Sequence, residues 1–112
     1  MRETDARDVA HIKTRLAGEI AGFDPARHGH GIADWNAATL AAFHDALIEP
    51  ERHLVNLAGG ITDDAWVVTG SNGAYRVLWL PWSDTFSLAV ESRFGLVDIG
   101  VHGDAIGCYS SV

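Results

Sequence analysis

Two histidines in a glycine-rich segment have the residue types and spacing of metal ligands. His28 and His30 are separated by one glycine and followed by another, and two imidazoles at this spacing on an extended segment can bind one metal ion. A third ligand would have to come from elsewhere, with Asp34 and His44 as candidates. A glycine-flanked pair before a helix is also typical of a solvated turn, so neither a metal site nor a cofactor is predicted.

A second set of reactive side chains lies near the C-terminus. Asp98 and His102 share strand parity, so they could lie on one sheet face as an orienting carboxylate and a base. Candidate nucleophiles and a further carboxylate follow them in the chain: Asp104, Cys108, Ser110 and Ser111. The segment has no Gly-x-Ser-x-Gly elbow, and terminal residues fray. The sequence therefore favours a non-enzyme and leaves a catalytic site open.

Trp82 is the main candidate for contact with a partner. It lies among turn residues, Pro81, Ser83 and Asp84. A large aromatic side chain on a turn either folds back as a lid or contacts a partner, where Trp and Arg dominate binding energy. Asp63 and Asp64 with Asp84 could pair as a general acid and base, but Thr62-Asp63-Asp64 is more typical of a strand entry. The predicted partner-binding residues are Trp82, Asp84, Asp63, Asp64, Glu91 and Arg93, with Phe94 beside them.

Helical periodicity dominates the first half of the chain. Residues 5–21 are predicted to form a helix because apolar side chains recur three and four residues apart, at Val9, Ile12, Leu16 and Ile20. A second helix is predicted from an N-cap at Asp34 through about Ile48, and Pro50 ends it. Residues 52–58 alternate too loosely for a firm assignment, although Leu54, Val55 and Leu57 are compatible with a short strand.

From Asp64 onward the period of the apolar residues is two. Asn72-Gly73 is the preferred centre of a type I′ hairpin, and pairing Ser71 with Ala74 sets Trp66 opposite Trp79 and Val68 opposite Val77. The face predicted to meet the core carries Trp66, Val68, Tyr75, Val77 and Trp79, and the opposite face carries Val67, Thr69, Arg76 and Leu78.

A second hairpin and a last strand complete the predicted sheet. Pairing Ser92 with Gly95 sets Val90 opposite Val97 and Leu88 opposite Ile99. His102-Gly103-Asp104 is predicted to be a turn, and residues 105–109 a final strand. The predicted fold is a single α+β domain over residues 1–112, with two N-terminal helices packed on one face of a four- to five-stranded antiparallel meander sheet.

Composition and charge narrow the function classes. Fifteen acidic residues against eight basic ones give a net charge of −7, which argues against nucleic acid and favours a partner with a basic surface. The single cysteine permits no intramolecular disulfide and suits a reducing compartment. No secretory signal and no apolar stretch of the ~18 residues needed to span a bilayer is recognised, so a cytoplasmic protein away from membranes is expected.

These observations favour a non-enzymatic acidic binding protein. Its most concrete form is an intracellular, immunity-type inhibitor that occludes a basic partner such as a bacterial toxin. One alternative is a small-molecule-binding or hydrolytic domain with a pocket between helices and sheet, near Asp98 or His102. Another is a homodimer formed through an apolar sheet face that carries Val67, Leu78 and Leu80.

Overall fold

The computed structural model describes residues 3–24 and 33–112, which belong to two compact units, Met1–Asp45 and Ala46–Val112. His28 and His30 lie outside the described residues, so the metal hypothesis for this pair stays a prediction. The single domain and the packing of the helices on one sheet face also stay predictions, and each unit is described by itself.

The first unit is helical, as its periodicity predicts. Helix α1 spans Glu3–Gly22 and buries Val9, Ile12 and Leu16. Helix α2 spans Ala33–Ala46, and its Phe43 is fully buried. The predicted helix through Ile48 is two residues too long, because Leu47 already pairs with Thr69 in the sheet.

The second unit is a closed five-stranded barrel followed by a short helix. Its elements are β1 Leu47–Asn56, the 3-10 turn Ala58–Gly60, β2 Thr62–Thr69, β3 Tyr75–Leu80, β4 Thr85–Ser92, β5 Gly95–Gly103 and α3 Ala105–Ser110. Neighbouring strands in the chain are antiparallel, and β1 closes the barrel by pairing in parallel with β5. The α+β class is confirmed, but the sheet is closed and mixed, not an open antiparallel meander.

β1 contains Pro50, although the sequence predicts that this proline ends the second helix. Pro50 is buried within the strand, where the register with β2 shifts between Leu47 and Glu51. A proline has no N–H to donate to a ladder, so it is tolerated at such an irregularity. The short strand that residues 52–58 allow is present, but it starts earlier, at Leu47, and ends at Asn56.

The first hairpin has the predicted strand register but a different bend. Trp66 pairs with Trp79, as predicted. The bend, however, is closed by Asn72 and Tyr75, whose backbone groups exchange two hydrogen bonds of 2.9 and 3.0 Å. The predicted Ser71–Ala74 pair with Asn72-Gly73 at its centre is therefore wrong. Gly73 is the first central residue, with φ of 62°, and Ala74 is the second.

Between the Trp66–Trp79 pair and the Asn72–Tyr75 pair, the β2 side consequently has two more residues than the β3 side. The Thr69 hydroxyl accommodates them, because its oxygen accepts the Val77 N–H at 2.9 Å in the buried part of the hairpin. A side chain thus replaces a backbone acceptor where the ladder is interrupted.

The second hairpin is confirmed near its turn and wrong farther away. Val90 pairs with Val97 as predicted, but Leu88 pairs with Val101 instead of Ile99. Two extra residues of β5, Ile99 and Gly100, form a bulge, and Gly100 has φ of 79°.

Both faces of the sheet are buried, so the predicted division into a core face and an open face is wrong. One buried cluster takes residues from all five strands and therefore fills the barrel interior: Val55, Ala65, Val67, Leu78, Leu80, Ala89 and Leu96. The Trp66, Val68, Val77 and Trp79 side chains on the other face are also buried. Val67, Leu78 and Leu80 thus lie inside the barrel, and the basis for a homodimer through them is removed.

The last element is a helix, not the predicted strand. Asp104 caps α3, because its Oδ1 accepts the Gly107 N–H at 2.6 Å. Ala105, Ile106 and Cys108 are buried, and α3 packs against β3, β4 and β5. The alternation of apolar residues over a segment this short fits a single helical turn equally well.

Candidate functional site

The Pro81–Asp84 turn presents a half-exposed tryptophan on a well-defined backbone. The Ser83 and Asp84 N–H groups both donate to the Leu80 carbonyl oxygen, at 3.3 and 2.9 Å. Leu80 also pairs with Thr85, so four residues connect β3 to β4. Pro81 presets the backbone for such a turn. The Trp82 side chain is 48% exposed, which leaves much of its indole available for contact.

Asp84 closes this turn in a left-handed conformation, with φ of 48°. It is the one non-glycine residue with positive φ in the described part of the chain. Asp tolerates this region better than most side chains but still at a cost. The turn therefore combines an exposed aromatic residue with a backbone that fixes its direction.

Two further predicted residues lie at the same end of the β2–β3 pair as this turn. β2 begins where β3 ends, because the strands are antiparallel with Trp66 opposite Trp79. Asp63 and Asp64 are exposed at the start of β2, and the Asp63 carboxylate accepts the Asp64 N–H at 2.8 Å. The structure thus brings Trp82, Asp84, Asp63 and Asp64 to one end of the hairpin.

Glu91 and Arg93 lie at the opposite end of the β3–β4 hairpin, where Glu91 is near the end of β4 and Arg93 follows the strand. Both are exposed. Glu91 is engaged within the chain, since its Oε1 accepts the Ser71 hydroxyl at 2.6 Å and lies 3.9 Å from Nε of Arg76. These two residues are therefore remote from Trp82 along the strands.

Because the barrel is closed, Asp63 on β2 is also connected to Glu91 on β4 through β1 and β5, which would not be so in an open sheet. Val55 of β1 pairs with Asp63 on one side and with Leu96 on the other, and Leu96 pairs with Glu91. Asp63, Val55, Leu96 and Glu91 thus form one row of paired residues across four strands. At the usual strand spacing, the Asp63 and Glu91 backbones are roughly 15 Å apart along this row.

Asp98 and His102 are close together, and the structure adds a third residue to them. The Ser87 hydroxyl donates to Oδ1 of Asp98 at 2.5 Å, and Nε2 of His102 lies 3.4 Å from Oδ2 of the same carboxylate. The Gly100 N–H also donates to Oδ1, at 3.2 Å. The cluster therefore holds the β5 bulge in place across β4.

This arrangement does not have the order of a nucleophilic triad. The carboxylate lies between Ser87 and His102, whereas a nucleophilic serine needs the imidazole beside it. Ser87 is also fully buried. The sequence reasoning missed Ser87, because a serine in an alternating strand gives no signal of its buried partner.

The remaining candidate nucleophiles are separated from this cluster. Cys108 is buried, and its thiol donates to the Val101 carbonyl oxygen at 3.3 Å. The Ser110 and Ser111 hydroxyls donate to the Gly107 carbonyl oxygen at the end of α3. Each of these groups has a structural partner in α3 or β5.

One concavity among the described residues is a shallow recess near α3. It has about 140 Å³ of open volume but no room for an enclosed water molecule. Its lining is Thr69, Asn72, Tyr75, Arg76, Val77, Leu88, Tyr109 and Val112. It reaches neither Asp98 nor His102, so it does not join the polar cluster to a pocket.

Comparison with known proteins gives no relative: no family model, no curated protein and no solved structure matches this chain. Within residues 3–24 and 33–112, no three His, Cys, Asp or Glu side chains are grouped as a metal site would require. Neither α1 nor any other described helix combines the length and apolar character of a membrane span.

Proposed function

We propose that this chain is a non-enzymatic acidic binding protein that occludes a basic protein partner. In its most concrete form it is an intracellular, immunity-type inhibitor of a bacterial toxin. The observation that carries the proposal is the half-exposed Trp82 on a hydrogen-bonded turn at the same end of the barrel as three exposed carboxylates.

The residues at this end have complementary roles in association. A tryptophan anchor contributes most when its partner excludes water from around it. Asp63, Asp64 and Asp84 would attract a basic surface and raise the association rate, in keeping with a net charge of −7. Glu91 and Arg93 would contribute less, because they lie at the other end of the β3–β4 hairpin and Glu91 is bound to Ser71.

The packed interior supports binding over catalysis. Side chains from all five strands fill the barrel, and the recess beside α3 is shallow and has no room for an enclosed water molecule. The polar cluster at Asp98 has a buried serine and a central carboxylate, which suit a structural role. These features favour a surface as the functional part of the molecule.

Capture from cytosol of the source cells tests the proposal. Immobilised wild-type chain is compared with Trp82→Ala and with Ser83→Ala, a matched control on the same turn that keeps the backbone hydrogen bonds. The captured protein, identified by mass spectrometry, is expected to have a basic isoelectric point and to be retained by Ser83→Ala but lost with Trp82→Ala. Recovery of the same amount of captured protein with Trp82→Ala and with Ser83→Ala, or capture of an acidic protein, would contradict the proposal.

A further inference from the structure

The chain contains three asparagines, and only Asn72 is followed by glycine. Asn72 and Gly73 lie in the turn between β2 and β3, where both are exposed. Asn36 is followed by alanine within α2, and Asn56 is followed by leucine. Glycine has no side chain to shield its own backbone nitrogen. The side-chain carbonyl of Asn72 is therefore the one that the next backbone nitrogen can approach most easily.

The surroundings of the three asparagines increase this difference. Asn36 is 2% exposed, and the Asn56 side-chain amide donates to two carbonyl oxygens at 3.1 Å. Within residues 3–24 and 33–112, the hydrogen bonds of Asn72 are made by its backbone, so its side-chain amide can rotate. Where a Cβ atom of residue 73 would lie, the described residues other than its chain neighbours leave 4 Å of open space. Neither packing nor a side-chain hydrogen bond therefore protects the Asn72–Gly73 pair.

We infer that Asn72 is a site of spontaneous deamidation, a modification that needs no enzyme. The backbone nitrogen of Gly73 attacks the side-chain carbonyl carbon of Asn72, and a five-membered succinimide ring forms. The side-chain nitrogen leaves as ammonia, which carries away the proton of the Gly73 nitrogen. Water is the co-reactant of the second step and opens the ring at one of its two carbonyl carbons. The product is an aspartyl or an isoaspartyl residue at position 72, and neither step transfers electrons to or from another molecule.

The backbone bridge between Asn72 and Tyr75 controls the rate of this reaction. Its two hydrogen bonds, of 2.9 and 3.0 Å, hold Asn72 in an extended pairing. Ring closure requires rotation about the bond between Cα and the carbonyl carbon of Asn72, which breaks at least one of them. Exposed turns open locally at a low free energy while the rest of the fold stays intact. The Val77 N–H remains bound to the Thr69 hydroxyl in the buried part of the hairpin, so the barrel does not have to unfold.

The isoaspartyl product changes the turn in two ways. It makes the net charge one unit more negative than −7, and it adds a methylene group to the backbone of the residue that forms the bridge. Glu91 accepts the Ser71 hydroxyl beside this turn and lies 3.9 Å from Arg76, so the charges near the new carboxylate are mixed. The longer backbone is therefore expected to dominate and to loosen the bridge to Tyr75. This turn is at the other end of β2 and β3 from the proposed contact surface, so the inference is independent of the proposed function.

Incubation of the purified full chain at neutral pH and physiological temperature tests the inference. Samples taken over several weeks are digested, and the peptides that contain Asn36, Asn56 and Asn72 are followed by mass spectrometry. Isoaspartyl residues are counted by enzymatic methylation of their carboxylate. The Asn72 peptide is expected to gain the mass of an NH₂-to-OH exchange and to contain isoaspartyl residues, whereas the other two peptides stay unchanged. In guanidinium chloride, where no bridge restrains Asn72, conversion is expected to be about tenfold faster.

Two variants complete the test. Asn72→Gln is the matched control, because it keeps a neutral amide but would need a less favourable six-membered ring, and no conversion at position 72 is expected over the same period. Gly73→Ala is compared with wild type in guanidinium chloride, where backbone strain does not contribute, and is expected to slow conversion roughly tenfold. Amide exchange at Tyr75 should accelerate in aged wild type but not in aged Asn72→Gln.

Several results would contradict this inference. Absence of conversion at Asn72 in the folded chain would overturn it, whether or not the unfolded chain converts. Equal conversion at Asn36 or Asn56 would show that the turn is not a specific site. Conversion without isoaspartyl product would indicate direct hydrolysis in place of the cyclic route, and conversion of Asn72→Gln at the wild-type rate would exclude the five-membered ring.

Discussion

Replacing Asn56 by alanine is expected to weaken barrel closure by an amount that the structure allows us to estimate. The parallel contact between β1 and β5 is two residue pairs long, Val55 with Leu96 and Asn56 with Val97. The Asn56 side chain adds two hydrogen bonds of 3.1 Å to β5 and its preceding turn. At about 0.5–1.5 kcal/mol each, their loss is expected to lower the free energy of unfolding by about 1–3 kcal/mol.

Urea unfolding of the full chain followed by tryptophan fluorescence measures this change, since Trp66 and Trp79 are buried on barrel strands β2 and β3. Asn72→Ala is the matched control: the same chemical change at an exposed turn whose described hydrogen bonds are made by the Asn72 backbone. We expect it to stay within about 0.5 kcal/mol of wild type. Amide exchange at Leu96 and Val97 should accelerate in Asn56→Ala only.

A third variant tests the direction of these hydrogen bonds. Asn56→Asp replaces the donor NH₂ group by an oxygen that faces two carbonyl oxygens, so we expect a larger loss than for alanine. If Asn56→Ala and Asn72→Ala were equally stable, the Asn56 side chain would not contribute to closure. If Asn56→Asp were as stable as wild type, the assigned orientation of the amide would be wrong.

Three further substitutions test other features of the barrel. Asp84→Ala should be about 1 kcal/mol less stable than Asp84→Gly in thermal unfolding, because only glycine adopts a φ of 48° without cost; equal stabilities would contradict the left-handed turn. Asp98→Ala should lower unfolding free energy by about 1–3 kcal/mol, because it leaves the buried Ser87 hydroxyl without its acceptor, and a double-mutant cycle with Ser87→Ala should show coupling; additive effects would contradict the contact. Asp104→Ala should cost about 1 kcal/mol through loss of the α3 cap, and Asp104→Ser should recover most of it; failure of serine to recover stability would argue against capping.

The sequence predicts local pairings well, because strand alternation and turn residues act over a few positions. Val90 opposite Val97 follows from alternation and the nearby turn. Trp66 lies opposite Trp79 although the bend is centred on Gly73-Ala74, because two extra residues on the β2 side offset the shift of the bend. The predicted pairings are wrong where one strand has extra residues relative to its neighbour. The two-residue offset before Asn72 depends on the Thr69 hydroxyl, and the β5 bulge depends on Asp98. Neither contact follows from the alternation of apolar residues or from the turn residues.

Barrel closure could not be predicted from the same signals. Val55 and Leu96 are far apart in the chain, and nothing near either residue specifies a parallel partner. In an open sheet, Val67 and Leu78 would need a cover from outside the sheet, whereas closure buries both inside the barrel. Closure also brings the Phe94 carbonyl oxygen to the Asn56 side chain, a contact that neither segment indicates by itself.

The most direct test of the proposed function is the association rate constant of the captured partner as a function of ionic strength. Steering by exposed carboxylates predicts that the rate falls by about tenfold or more as salt screens them. Asp63→Asn with Asp64→Asn should flatten this dependence while leaving the dissociation rate nearly unchanged. A rate constant that does not change with salt, in wild type and in the double variant alike, would contradict recognition of a basic partner.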